Sequence, residues 1–162
     1  MELKLRITSP HDPAVAPVIA AHKAHCVAIT PAESCHFLTA EQLDTPDITI
    51  WAAYQGDVAL GIGGLKRIDE TRGEVKTMHT IAAARGTGVG RKILHAIEDT
   101  ARADGLASLW LETGSQPEFS PARRLYETQG FQVCAPFEDY TNDPLSAFYT
   151  KTLTSPAKGQ TP

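Results

Sequence analysis

The sequence contains no apolar run that approaches the roughly 20 residues needed to cross a bilayer. Its first residues, MELKLRITS, lack the apolar core of a secretory leader and instead alternate in the manner of a strand. The three cysteines, Cys26, Cys35 and Cys134, are odd in number and follow no disulfide pattern. We therefore expect a cytoplasmic protein of a reducing compartment, with no membrane partner.

Excess positive charge is also absent. The chain has 15 Lys and Arg against 19 Asp and Glu, a formal net charge of −4, so it has no bulk attraction to nucleic acid and we expect no such partner. His22 and Cys26 lie one helical turn apart, but no third ligand accompanies them. We therefore interpret both as structural residues and expect no metal.

Length and composition are those of one globular domain. The chain has 162 residues, of which 42% are hydrophobic and 21% charged, and this length is sufficient for a core of its own. We assign residues 1–153 to a single domain. The tail at 154–162, TSPAKGQTP, is predicted to be disordered.

The most informative stretch of the chain is a strand that leads into a glycine-rich turn and a helix. β-Branched and apolar residues predict a strand at Glu74–Ile81, and the turn, RGTGVG, occupies Arg85–Gly90. A helix then carries Val89, Ile93 and Ile97 on one stripe. Upstream, Gly61, Gly63 and Gly64 weaken a predicted strand and would permit a bulge.

The glycine turn, Arg85–Gly90, is predicted to bind a pyrophosphate. The first amides of a helix lack partners and form its positive end, and glycines allow an anion to approach them. The spacing fails the Walker A pattern, since its second glycine would fall on Arg91, and it fails G-x-G-x-x-G, since Gly90 is one place early. The pattern that fits is R-x-x-G-x-G; a turn without a ligand is the alternative.

This motif resembles the acetyl-CoA pyrophosphate site of the GCN5-related N-acetyltransferases, the GNAT superfamily. A second match, A-x-x-L-Y-x-x-x-G-F, runs from Ala122 to Phe131, and PAESCHFL and LETGSQPEFSPARRLYETQGF resemble a stand-alone bacterial branch. The resemblance covers nearly the whole chain. It implies an α+β GNAT fold, with a mixed, mostly antiparallel sheet of about seven strands, flanked by about four helices and splayed between strands 4 and 5.

The resemblance also implies a function. Acetyl-CoA would serve as co-substrate, and its acetyl group would pass to the amine of a small molecule by direct attack, without metal. A protein or peptide N-acetyltransferase and a non-catalytic acyl-CoA-binding module are the alternatives. Because relatives often pair, a homodimer is also left open.

The cofactor contacts implied by the resemblance come mainly from backbone groups. The pantetheine arm would pair with Met78 and Thr80, and the N–H of Met78 would polarise the thioester carbonyl. Many relatives have an asparagine where this chain has Thr113-Gly114-Ser115, so that contact is not carried over. The implied cofactor-binding residues are Met78, His79, Thr80, Arg85, Gly86, Thr87, Gly88, Val89, Gly90 and Arg91.

Two residues are predicted to move protons. The motif match implies that Tyr126 protonates the departing thiolate, and a core tyrosine is the alternative. Glu74 lies at the spacing of the family's catalytic glutamate and would act as base through a water. It could instead be solvated or paired with Lys76. His79 and His36 are competing bases, since imidazole titrates near pH 6.5.

The acceptor site is the least determined part of the prediction. Loop placement and the branch resemblance suggest Glu33, His36 and Tyr140 as acceptor-binding residues. For Glu33 and His36, a capping loop with solvated side chains is the alternative. The residues themselves do not identify the acceptor amine.

Overall fold

The structure is a computed structural model that describes residues 2–153, so the tail predicted to be disordered lies outside the described residues. The helices are α1 (Ala16–Ile29), α2 (Ala40–Leu43), α3 (Val89–Ala103) and α4 (Ser120–Thr128). The strands are β1 (Leu3–Thr8), β2 (Ile48–Gln55), β3 (Val58–Arg67), β4 (Arg72–Thr80), β5 (Ser108–Gly114), β6 (Gln132–Val133) and β7 (Ser146–Thr152).

The strands form one sheet in the order β1-β2-β3-β4-β5-β7-β6. All neighbours are antiparallel except β4 and β5, which follow the strand–helix–strand connection through α3 and are parallel. Their pairing is short, from Arg72 with Ser108 to Glu74 with Trp110, after which the two strands diverge. The predicted mixed, mostly antiparallel sheet that splays between strands 4 and 5 is confirmed.

Local sequence signals explain two helix starts. Pro17 predicts either a kink or a late start in α1, and the helix does start late, at Ala16, so that the proline lies in the first turn, where no N–H is needed. Thr39 and Gln42 form the predicted capping box of α2. Across residues 2–153, no helix combines the length and apolarity needed to cross a membrane.

The sheet separates two apolar layers. On one face the predicted stripe of α3, with Ile93 and Ile97 fully buried, packs against Val75, Leu109 and Leu111. On the other face α1 contributes Val18, which packs with Ala52 and Ile62. Side chains that alternate with the first set therefore point to the α1 face, and these include Glu74 and Lys76 on β4 and Glu112 on β5.

Candidate active site

A bulge in β4 lies beside the gap where the parallel strands β4 and β5 diverge, which we call the fork. Ile62 pairs with His79 and Gly64 with Lys76, so Thr77 and Met78 together lie opposite Gly63. Thr77 adopts φ +56°, and a Cβ on Gly63 would come within 2.4 Å of the Met78 sulfur. Because the bulge falls just beyond the last β4–β5 pair, the backbone from Met78 to Thr80 is not paired with β5.

The glycine turn has the geometry of an anion site. Gly86 and Gly88 have φ of +78° and +89°, values that other residues rarely adopt. Gly88 is the N-cap of α3, and no side chain caps the first amides of this helix. Thr87 donates its hydroxyl to the carbonyl of Ala84 (2.5 Å), and Arg85 Nε donates to the carbonyl of Thr80 (3.2 Å). The turn is therefore fixed while its amides remain accessible.

One cavity of about 800 Å³ connects the glycine turn with the fork and with the loop between α1 and α2. It is lined by the predicted catalytic pair, by all ten predicted cofactor-binding residues, and by His36 and Tyr140 of the predicted acceptor site. Glu33 is exposed on the 3₁₀ turn at Ala32–Ser34 and does not line it. The structure thus brings together all the predicted site residues except Glu33.

Tyr126 lies at the end of the cavity formed by α4. It is only 5% exposed, and its ring packs against Phe131 and Tyr149 at 5.7 and 6.3 Å between centroids. Burial, together with the charge of Glu112, raises the pKa of the Tyr126 phenol above its usual range. The phenol therefore carries its proton at neutral pH, as a proton donor must.

Glu74 is buried on the opposite side of the fork and is already engaged. Its Oε2 accepts from Lys76 Nζ at 3.0 Å and from the Tyr140 hydroxyl at 2.6 Å, and these two donors lie 3.1 Å apart. The pairing with Lys76 considered from the sequence is thus present. Both contacts use one oxygen, and the described residues donate no hydrogen bond to the other. Burial and the Glu74 charge raise the pKa of Tyr140.

The competing imidazoles sit in surroundings that disfavour their charge. His79 faces His22 and His25, with centroids 5.2 and 6.1 Å apart. Burial, followed by the charges of neighbouring His22, Arg85 and His25, lowers the pKa of His79 to about 4, and burial does the same for His22. Burial also lowers the pKa of His36, which meets the Tyr140 ring edge-on. Such imidazoles are weak proton acceptors at neutral pH.

Glu112 is the cavity residue that sequence reasoning missed. It lies two residues beyond the last β4–β5 pair, on the α1 face, and accepts a hydrogen bond from Ser146 at 2.8 Å. Burial raises its pKa to about 7. The sequence does carry one signal for this role: Glu112 is an ionisable residue that directly follows the apolar run Leu109–Leu111. It lies near the end of a parallel strand, which is where ligands bind in such sheets.

Three loops meet beside the acceptor end of the cavity: those after α1, after β5 and before β7. Ser34, in the loop after α1, donates to Asp143 in the loop before β7 at 2.5 Å. Gln116 donates to the carbonyl of Ile29 at 3.0 Å, and Ser115 donates to the carbonyl of Pro144 at 2.5 Å. Sequence reasoning did not identify these contacts, because they join residues that are far apart in the chain.

A forked sheet, an uncapped helix N-terminus, a buried phenol and two carboxylates all line one cavity, and together they are typical of an acyltransferase. The chain belongs to the acetyltransferase (GNAT) family, whose model matches residues 21–131. The described residues contain no group of three His, Cys, Asp or Glu side chains that could hold a metal.

Named relatives agree with this family. An uncharacterized N-acetyltransferase of Bacillus subtilis (strain 168), YsnE, is 47% identical over 125 residues, which cover 77% of this chain and 83% of that protein. The IAA acetyltransferase of Azospirillum brasilense is 40% identical over 146 residues, 90% of this chain and 94% of that protein. The fold matches that of the PaiA N-acetyltransferase of Thermoplasma acidophilum, solved with coenzyme A, with a TM-score of 0.73, 19% identity and coverage of 94% and 99%.

Proposed function

We propose that this acetyltransferase transfers the acetyl group of acetyl-CoA to the amine of a small molecule, by direct attack on the thioester. The observation that carries the proposal is the single cavity, which runs from the uncapped amides at Gly88 through the fork to Glu74, Glu112 and Tyr126. A nucleotide-linked thioester needs an anion site and a reaction site on one path, and this cavity offers both.

The residues along this path suit coenzyme A. The amides after Gly88 and the side chains of Arg85 and Arg91 would hold the pyrophosphate, and the space beside Gly86 is open, with no atom within 4 Å of an added Cβ. The β5-facing edge of Met78–Thr80 is free to pair with the amides of the pantetheine arm. The Met78 N–H, beside the bulge, would then polarise the thioester carbonyl.

Two proton transfers accompany the reaction. Tyr126, protonated and buried, would give its proton to the sulfur as the thioester bond breaks. The acceptor amine must lose a proton before it attacks, and a carboxylate of the fork would take it. Glu74 is the base predicted from the sequence, and its Oε1 is not used by any described donor. The low pKa of His79 makes this imidazole a poorer choice.

A small acceptor is favoured over a peptide. An extended peptide would need an open groove along the fork, whereas the Ser34–Asp143 and Ser115–Pro144 contacts join the loop before β7 to the loops after α1 and after β5. His36 and Tyr140 line the cavity at this end, with their rings edge-on and their centroids 5.1 Å apart. These contacts therefore favour a small free amine as the acceptor, which would enter the cavity beside the loops.

The test combines an amine screen with one conservative variant. Wild-type protein is incubated with acetyl-CoA and a panel of primary amines, and released thiol is measured. Tyr126→Phe should lower kcat by about 100-fold or more, the usual range for a lost general acid, with unchanged affinity for coenzyme A. Tyr149→Phe is the control, since its phenol contacts Glu127 outside the cavity. Equal turnover of Tyr126→Phe and wild type would contradict the assigned role.

A further inference from the structure

We propose that Glu112 is the general base of the reaction and that Glu74 is a positioning residue, which holds Lys76 and Tyr140 in place. This inference rests on the proposed function and deepens it. It assigns the proton acceptor to a strand, β5, for which the sequence predicted no catalytic residue.

The position of Glu112 is the first argument. β4 and β5 have parted by this residue, which still pairs with Phe148 of β7, and its side chain lines the cavity at the fork. Ser146 holds Oε2, and the described residues donate no hydrogen bond to Oε1. Tyr126 lines the same cavity and feels the charge of Glu112. An acceptor nitrogen in the fork would thus lie between base and acid.

The engagement of Glu74 is the second argument. Its protonation would break the ion pair with Lys76, which is buried with it, and would weaken the hydrogen bond from Tyr140. Glu112 has no lysine or arginine within ion-pair distance among the described residues, so it loses less when it takes a proton. The two carboxylates therefore have different roles: Glu74 holds Lys76 and Tyr140 in place, and Glu112 carries the proton.

The surroundings of Glu112 agree with this division. Burial raises its pKa to about 7, the charges of Glu74 and Asp143 act in the same direction, and the Ser146 hydrogen bond and the Lys76 charge oppose them. Both protonation states are then populated near neutral pH, which is the condition for an efficient base. The titratable groups that face it from other elements are Cys26, Glu74, Lys76, Tyr126, Tyr140 and Asp143.

The reaction balances as follows. The acceptor ammonium loses one proton to Glu112, and the free amine attacks the acetyl carbon. As the C–N bond forms and the C–S bond breaks, the sulfur takes the proton of Tyr126 and the nitrogen releases one further proton to water. Water then reprotonates Tyr126, and Glu112 returns its proton to solvent.

The first experiment titrates the carboxyl itself, without turnover. The protein is labelled with ¹³C at the glutamate side-chain carboxyls and its NMR spectrum is followed with pH. We expect one resonance with a midpoint near 7 that disappears in Glu112→Gln and persists in Glu127→Gln, a control outside the cavity. If no glutamate resonance titrates near neutral pH, or if it persists in Glu112→Gln, the proposal is overturned.

The second experiment uses two acceptors of equal carbon skeleton, ethylamine and trifluoroethylamine. Ethylamine is protonated at neutral pH, whereas trifluoroethylamine is largely the free amine. Only the reaction of ethylamine therefore needs a base that removes the ammonium proton. Glu112→Gln should lower kcat/KM for ethylamine by about 100-fold and for trifluoroethylamine by less than about 10-fold. It should also remove the acidic limb of the pH profile, which Glu74→Gln should retain. Retention of that limb in Glu112→Gln and its loss in Glu74→Gln would reverse the assignment.

The two experiments separate the inference from the proposed function. If wild-type protein releases no thiol with any amine, the proposed function fails, and the base role fails with it. If wild type is active but Glu112→Gln is equally active on ethylamine, only the inference fails.

Discussion

The two carboxylates of the fork are chemically identical, yet their neighbours give them different properties. Glu74 meets a lysine and a tyrosine hydroxyl at hydrogen-bond distance, whereas Glu112 accepts one hydrogen bond from a serine and has no ion-pair partner among the described residues. A charged partner favours the ionised form, and burial without one disfavours it. Burial therefore raises the pKa of Glu112 to about 7, where it can exchange protons near neutral pH.

At the scale of single residues, Ser146 offers a test of this view. Its hydrogen bond stabilises ionised Glu112 and so lowers the pKa of that carboxyl. Ser146→Ala should therefore raise this pKa, and the acidic limb of the kcat/KM profile should move to higher pH. The same substitution in a Glu112→Gln background should move nothing. A shift of the limb toward lower pH would show that the hydrogen bond does not act on the base.

For single residues, a role could be predicted from the sequence where its signal lies within a short stretch of chain. The R-x-x-G-x-G turn and the motif around Tyr126 could be predicted, because their function is tied to short fixed spacings. The properties of Glu112 could not, because they arise from burial between β5, β7 and two loops that meet only in the folded chain. Glu33 was placed near the acceptor by loop position and the branch resemblance, and in the structure its side chain is exposed.

At the scale of elements, the start of α3 combines a conformational requirement with a binding role. Gly88 has the positive φ that ends the turn and opens the helix amides. Gly105, at the other end of α3, also has a positive φ, +81°, and open space around it. The two glycines share a positive φ, but only Gly88 is among the residues that line the cavity.

This pair gives a matched test of the glycine turn. Gly88→Asp and Gly105→Asp should both lower stability, because an aspartate is strained at this φ. Only Gly88→Asp should weaken coenzyme A binding, by about 100-fold or more, since one or two charge-assisted hydrogen bonds are worth about 1.5–3 kcal/mol each. Calorimetric titration with coenzyme A measures the affinity of each variant. Equal affinities in folded Gly88→Asp and wild type would place the ligand elsewhere.

The bulge in β4 shows how element geometry could be read in part from the sequence. The glycines of β3 indicated a bulge or a close approach, and the structure has both at Gly63, where Met78 lies against the missing side chain. Which strand would bulge was not predictable, because the register of β3 and β4 depends on the packing of Met78 against Gly63 and Ile93.

The contact between the loops after α1 and before β7 predicts an effect on the acceptor alone. Ser34→Ala removes the hydrogen bond to Asp143 that joins these two loops. KM for the acceptor should rise several-fold, about the worth of one buried hydrogen bond, while affinity for coenzyme A stays unchanged. Thr45→Ala, which removes a similar hydroxyl–carboxylate bond at the surface, should alter neither. A lower coenzyme A affinity in Ser34→Ala would mean that the loop shapes the whole cavity.

At the scale of the whole molecule, ionisable groups of the cavity lower the free energy of unfolding, and they do so in opposite directions of pH. The partly buried imidazoles His22 and His79 have folded pKa values of about 4, below the unfolded value of 6.5. The unfolded chain binds more protons in this window, so they reduce stability as pH falls from 6.5 toward 4. Glu112 behaves in the reverse way, because its folded pKa is raised.

Glu112→Gln should therefore become more stable relative to wild type as pH rises. The unfolded carboxyl ionises near 4.5, whereas the folded one keeps its proton up to about 7, so between these values the native state binds more protons and loses stability with rising pH. Glutamine never ionises. The difference in free energy of unfolding between variant and wild type, from urea titrations, should grow by up to about 3 kcal/mol across this window and level off above it, at 1.36 kcal/mol per pKa unit. A difference independent of pH would mean that Glu112 ionises in the folded protein as readily as in water, and it would then lack the property that fits it to be the base.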